Sequence, residues 1–187
     1  RLWDIRAKEV LNSSGSIERP LVFGNNDTPG VMLSSAAKEY LKVYGVLVGK
    51  KPLIFTNNDS GYETAIEFKK NGVEPIILDT RKDPQSEIID EAKSLSIKIK
   101  FSYVVVAAKG YKKVKSAEIA KISDDKNKLG LLENINCDCI CVSGFWTPTI
   151  HLASQSGNKT KFNQDIDAFV PGLSKQNETT LGAANGT

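Results

Sequence analysis

The stretch Lys51 to Arg81, KPLIFTNNDSGYETAIEFKKNGVEPIILDTR, decides the fold. Leu53, Ile54 and Phe55 form an unbroken apolar run, the pattern of a parallel strand covered on both faces. Thr56-Asn57-Asn58-Asp59-Ser60-Gly61 is rich in turn formers. From Tyr62 to Asn71 the spacing puts Tyr62, Ala65, Ile66 and the stem of Lys69 on one helical stripe, and Gly72 stops the helix. Val73 to Leu78 is a second apolar strand that ends at Asp79. Strand, turn, helix and strand in about 30 residues make a βαβ unit.

A dinucleotide fingerprint in this unit requires G-x-G-x-x-G across Thr56 to Gly61, and an acid about 20 residues later for a ribose hydroxyl. Asp79 follows Gly61 by 18 positions, so the acid is in place. Of the three glycines only Gly61 remains, the one that lets helix and strand pack closely. Thr56 and Asn58 occupy the other two positions, and their side chains crowd the space of a pyrophosphate. Two readings stay open: a nucleotide held by Thr56, Asn57, Asn58, Asp59, Ser60, Gly61 and Asp79, or a Rossmann unit kept for its architecture.

Downstream, Asp83 is the expected N-cap and Pro84 the first residue of a helix over 85–94. Ile97, Ile99 and Phe101 alternate with polar residues like a half-buried strand. Strands near 104–108 and 114–122, with a polar loop over 124–128, then change the rhythm to an antiparallel meander. Upstream, Ser34 or Ser35 caps a helix that runs to Tyr44 and stops at Gly45. Residues 1–11 alternate like a strand in mid-sheet, and the chain ends abruptly at Asn185-Gly186-Thr187, which suggests a piece of a longer polypeptide.

The composition is that of a soluble globular protein: 187 residues, 40% hydrophobic, 25% charged, net charge +3. The basic residues are interspersed with acids rather than striped with aromatics, so a nucleic-acid partner is not expected. No apolar run approaches the ~18 residues of a membrane span. Cys137, Cys139 and Cys141, spaced by two, are expected on one face of a buried strand as free thiols, without metal, in a reducing compartment. His151 is the only histidine, with no neighbour in sequence that makes it a base. No acid–base–nucleophile set stands out, so no catalytic residue is assigned.

Four further strings carry a family resemblance: Ser13-Ser14-Gly15-Ser16-Ile17-Glu18-Arg19-Pro20, Asn25-Asn26-Asp27-Thr28-Pro29-Gly30, the central turn Thr56 to Tyr62, and Ser143-Gly144-Phe145-Trp146-Thr147-Pro148-Thr149-Ile150-His151-Leu152. Together they resemble the alpha subunit of heterotetrameric sarcosine oxidase over nearly the whole chain, and more broadly the two-dinucleotide-domain fold of thioredoxin reductase. The resemblance implies an α/β fold: a Rossmann-like three-layer nucleotide-binding domain with an antiparallel β-meander, inserted in part of a second FAD/NAD(P)-binding-like domain. Residues 1–33 are then part of the outer dinucleotide-binding domain, 34–136 the inserted domain, and 137–187 the return segment. It also implies an enzyme that oxidises sarcosine to glycine in the cytoplasm, with beta, gamma and delta subunits as partners. NAD lies in the outer domain, bordered by Ser13, Ser14, Gly15, Gly182 and Asn185. Flavins belong to the full assembly rather than to this chain, which alone is expected to be inactive. Thr56 to Gly61 becomes the vestigial nucleotide turn of the inserted domain.

Overall fold

The computed structural model describes residues 1–123, 125 and 128–187. In chain order the strands are β1 (Val10–Asn12), β2 (Ser16–Glu18), β3 (Val31–Leu33), β4 (Pro52–Thr56), β5 (Ile76–Asp79), β6 (Lys98–Phe101), β7 (Tyr103–Lys109), β8 (Ser116–Ile122), β9 (Leu129–Asn136), β10 (Cys139–Ser143), β11 (Trp146–Pro148), β12 (Thr160–Asn163), β13 (Ala168–Pro171) and β14 (Glu178–Thr180). The helices are α1 (Ser34–Tyr44), α2 (Ser60–Lys70), α3 (Glu87–Ser94) and α4 (His151–Gln155). The chain divides into two compact units, one of residues 1–18 and 146–187, the other of residues 19–145.

The contiguous unit has three layers. Its middle is a five-stranded parallel sheet in the order β3-β10-β4-β5-β6. On one face α1, α2 and α3 bury Ala37, Leu41, Tyr62, Ala65, Phe68, Ile89 and Ala92 against Ile54 and Ile77. On the other, the antiparallel meander β7-β8-β9 sets Val105, Ala117 and Ile119 over Leu53, Phe55, Leu78 and Ile140. Alternate residues of β4 therefore enter two different cores. This is why its sequence is apolar throughout and every residue from Pro52 to Thr56 is buried. Each fully buried Leu, Ile or Phe contributes roughly 1.5–3 kcal/mol of transfer free energy. The α/β class, the βαβ unit at 53–78 and the meander expected from the sequence are all present.

The sequence reading sets the joints at 33/34 and 136/137. Residues 19–33 and 137–145 lie in the contiguous unit, because β3 and β10 are hydrogen-bonded members of its sheet. Three smaller expectations fail. Helix α3 starts at Glu87 with Ser86 as N-cap, since Asp83 accepts a hydrogen bond from the Gln85 side chain instead of capping. Ser34 is the first residue of α1 rather than its cap, and Leu33 takes the capping position. At the other end Gly45, at φ +64°, closes α1 as expected. Residues 1–9 form no strand, and Leu2, Trp3 and Ile5 are exposed: alternation makes a strand only where a neighbour pairs with it. Of the polar loop over 124–128, residues 124, 126 and 127 lie outside the described residues.

The cysteines split between the cores. Cys139 and Cys141 face the helices with their sulfurs 4.0 Å apart, while Cys137 joins the meander core. The alternation breaks at Asp138, whose carboxylate accepts the backbone N–H groups of Lys50 and Lys51, both at 2.8 Å. All three are free thiols, and burial pushes the Cys137 thiol up to about 12. None is therefore expected to react with a thiol reagent in the native protein at mildly alkaline pH, and all three in denaturant. Rapid stoichiometric labelling of the native chain, read by mass spectrometry, contradicts this.

The other unit holds the parallel pair β1–β14, the antiparallel pair β2–β11, the hairpin β12–β13 and the short helix α4. His151 opens α4 and is exposed.

Candidate functional site

The central turn lies at the carboxyl end of β4, beside the point where the sheet order reverses between β4 and β10. Open α/β sheets bind their ligands at this position. A nucleotide seat here needs unengaged backbone N–H groups at the start of α2. The turn instead uses its own side chains. Thr56 Oγ1 accepts the Asn58 N–H at 3.1 Å and donates to the Asn58 carbonyl at 2.8 Å. Asn58 Oδ1 accepts the Ser60 N–H at 2.9 Å. The Asn58 amide nitrogen is 3.0 Å from Asn57 Oδ1 and 3.2 Å from the Ser143 carbonyl on β10. Asn58 is buried at 7% exposure, so these bonds are shielded from competing water. Neither Thr56 nor Asn58 has a positive φ, so the missing glycines leave no backbone strain.

Gly61 keeps the packing role of the third glycine. A Cβ built on it falls 2.7 Å from Thr56 Cβ and 2.8 Å from Thr56 Oγ1. A substituted position and the retained glycine are thus linked: the Thr56 side chain fills the space that Gly61 leaves open.

Asp79 is where a ribose-binding acid belongs, but it is wholly buried and engaged. The Tyr62 hydroxyl donates to it at 2.7 Å. Arg81 donates its backbone N–H at 2.9 Å, its Nε at 3.1 Å and its Nη2 at 2.8 Å. The same Arg81 nitrogen lies 2.8 Å from Asp59 at the mouth of the turn. Burial first, and then the Asp79 carboxylate, push the Tyr62 pKa far up, so the hydroxyl stays protonated and donating. Burial of Arg81 works against its charge, yet hydrogen bonds with Asp79 and then Asp59 push its pKa up. The guanidinium therefore locks the acid to the turn, and the residues present do not fit a dinucleotide phosphate. Periodicity puts Tyr62 on an apolar stripe and gives no role to Arg81 or Ser143. The one legible signal was a cation two positions after the acid.

The second set of residues behaves differently. β1 and β14 pair in parallel with Asn12 opposite Thr180, and the Leu181 N–H donates to the Asn12 carbonyl at 2.9 Å. The turn Ser13-Ser14-Gly15 and the 3-10 turn Gly182–Asn185 therefore leave the same end of the pair side by side. Ser14 Oγ donates to the Thr149 carbonyl at 2.9 Å, and the Thr149 N–H returns to the Gly15 carbonyl at 3.0 Å. Gly15 and Gly182 have φ of +74° and +62°, with open space where a Cβ would stand. These glycines serve the backbone bend, not a packing contact. Ser13, Ser14, Gly182 and Asn185 are exposed. Asn12, overlooked in the sequence, is buried at 6% exposure with its amide nitrogen unpartnered among the described residues. An unsatisfied buried donor beside two polar turns fits a polar ligand such as a nucleotide.

No family model matches the chain. Among curated proteins it is similar to the sarcosine oxidase alpha subunit of Corynebacterium sp. (strain P-1), 33% identical over 188 aligned positions, covering 100% of this chain and 19% of that protein. The alpha subunit of Rhizobium meliloti (strain 1021) is 38% identical over 186 positions, covering 98% of this chain and 18% of the relative. The motif resemblance thus extends along the whole chain, which spans about a fifth of the length of these relatives. Among solved structures, T. acidophilum thioredoxin reductase superposes with a TM-score of 0.74 at 17% identity, covering 96% of this chain and 58% of that one. L-proline dehydrogenase from P. horikoshii gives a TM-score of 0.62 at 21% identity, covering 95% of this chain and 30% of that one. At these identities the structures show the fold alone.

Proposed function

We propose that this chain is the nucleotide-domain segment of a sarcosine oxidase alpha subunit, with NAD bordered by Ser13, Ser14, Gly15, Gly182 and Asn185. The observation that carries the reading is the contrast between the turns. One pair presents a buried amide, that of Asn12, with no partner among the described residues, and the central turn engages the Asn58 and Ser60 N–H groups with its own side chains. In the full assembly, a cytoplasmic heterotetramer with beta, gamma and delta subunits, sarcosine is demethylated oxidatively to glycine and the partners hold the flavins. The chain supplies nucleotide binding and scaffold but no catalytic residue. A second reading, an interaction module of a multisubunit amine dehydrogenase whose nucleotide sites are all vestigial, draws on the sealed central turn.

NAD titrated into this chain is expected to shift backbone resonances of Ser14, Gly15, Gly182 and Asn185, leaving Asn58 and Ser60 unmoved. Shifts centred on Asn58 and Ser60 overturn the assignment of the turns, and no shift at either place favours the module reading. The same preparation is expected to be colourless and to release no peroxide from sarcosine. Flavin absorbance accompanied by peroxide release contradicts that.

A further inference from the structure

The amino ends of the parallel strands, opposite the central turn, border a half-open cavity of about 350 Å³. Its apolar lining comes from Pro52 and Leu53 at the start of β4, Ile76 at the start of β5, Ile135 near the end of β9, and the buried Cys137. Two cations, Lys51 and Lys98, stand among the lining residues and are exposed. The acids nearby are already matched. Glu74, also part of the lining, is held by Lys69 at 2.6 Å. Glu133, the acid that feels Lys98, is paired with Lys100 at 2.8 Å and accepts the Tyr103 hydroxyl at 3.0 Å. Asp138 spends both oxygens on backbone N–H groups.

The volume and character suit a small ligand: pockets of roughly 300–1,000 Å³, apolar with a few polar groups, are the usual form of such sites. The charge balance sets the sign. An apolar floor beneath two lysines, with neighbouring carboxylates neutralised, favours an anion bearing an apolar tail. The raised pKa of the Cys137 thiol agrees with a dry, apolar floor. Nothing in the oxidase reading uses this edge of the sheet.

We propose that the cavity at the amino end of the central sheet is a binding site for a small amphipathic carboxylate. The carboxylate lies between Lys51 and Lys98, and its alkyl tail rests on Leu53, Ile76, Ile135 and Cys137. The site is independent of the nucleotide turns and needs no covalent step.

The test uses hexanoate as probe, hexylamine as the opposite charge and hexanol as the neutral chain, each titrated into this chain by NMR. Hexanoate is expected to bind saturably and to shift Ile76, Ile135 and Cys137, while hexylamine does not bind. The exposed double variant Lys51→Glu/Lys98→Glu should weaken hexanoate by about tenfold or more, since each lysine contact is replaced by repulsion. Asn136→Trp, a substitution at an exposed position of the lining, should block the cavity while leaving both lysines in place. Absence of saturable hexanoate binding overturns the proposal. So does equal binding of hexylamine or hexanol, or hexanoate affinity unchanged in both variants.

Discussion

Arg81→Ala is expected to destabilise the protein by on the order of 3 kcal/mol, because it strands a buried carboxylate. Asp79 has no solvent exposure, and Arg81 supplies its only cation at ion-pair distance among the described contacts. The loss of a surface ion pair would amount to about 0–1 kcal/mol, and that is the competing expectation for the Arg81–Asp59 contact alone. The two expectations are far enough apart to be distinguished by urea denaturation. A second variant isolates the cause. Asp79→Asn in the Arg81→Ala background removes the stranded charge and keeps an oxygen for the Tyr62 hydroxyl, so it should restore more than half of the loss. A single variant within ~1 kcal/mol of the parent, or a double variant no better than Arg81→Ala, defeats the account of Asp79 as a locked charge.

Gly61→Ala carries the second large effect, and its sign discriminates. Helix propensity alone predicts a gain of roughly 0.4–1 kcal/mol, since Gly61 lies within α2 and its φ is not positive. Contact geometry predicts a loss. The new Cβ would stand 2.7 Å from Thr56 Cβ, closer than carbon atoms approach without displacement. Thr56 belongs to a strand paired on both sides, so α2 must move and lose packing against Ile54 and Ile77. Overpacking of this kind costs about 1–3 kcal/mol, which outweighs the propensity gain. A net loss of roughly 1–2 kcal/mol by urea denaturation is expected. In a Thr56→Gly background the obstruction is gone, and the same alanine should then be neutral or stabilising. A stabilised Gly61→Ala protein with Thr56 intact shows the contact to be unimportant.

How legible the fold was in the sequence follows from what each signal measures. The apolar run at 53–55, the stripe from Tyr62 and the run to Leu78 report burial, and burial follows from the layer arrangement. The central βαβ unit was therefore readable to within two or three residues. Pairing is a long-range property. That β10 belongs beside β4 depends on Cys139 to Ser143 meeting Pro52 to Thr56 across more than 80 residues, and no local pattern carries it. The same long-range pairing ties residues 31–33 and 139–143 into one sheet, which no local pattern near 33 or 137 announces. The face of Cys137 was misread because a side-chain contact of Asp138 interrupts the alternation. At the central turn, absent glycines pointed to a damaged phosphate seat. The mode of closure, with Thr56 and Asn58 as acceptors for the turn's own amides, depends on side-chain directions that a string of letters does not hold. The Arg81 lock is similar: acid and cation are two residues apart in sequence, but only the buried end of β5 makes their pairing obligatory.

The place of β10 in the sheet sets an order of events during synthesis. It lies between β3 and β4, both of which leave the ribosome long before residue 139 is made. The winding β4-α2-β5-α3-β6 can assemble as it emerges, but β3 has no neighbour in the sheet until the last strand arrives, and one edge of β4 stays bare. The nascent chain must therefore hold an open slot while the whole meander is translated. The final step is the threading of an entirely buried strand into that slot. Stalling translation between 122 and 139 would leave a half-sheet with two sticky edges, a natural substrate for chaperones.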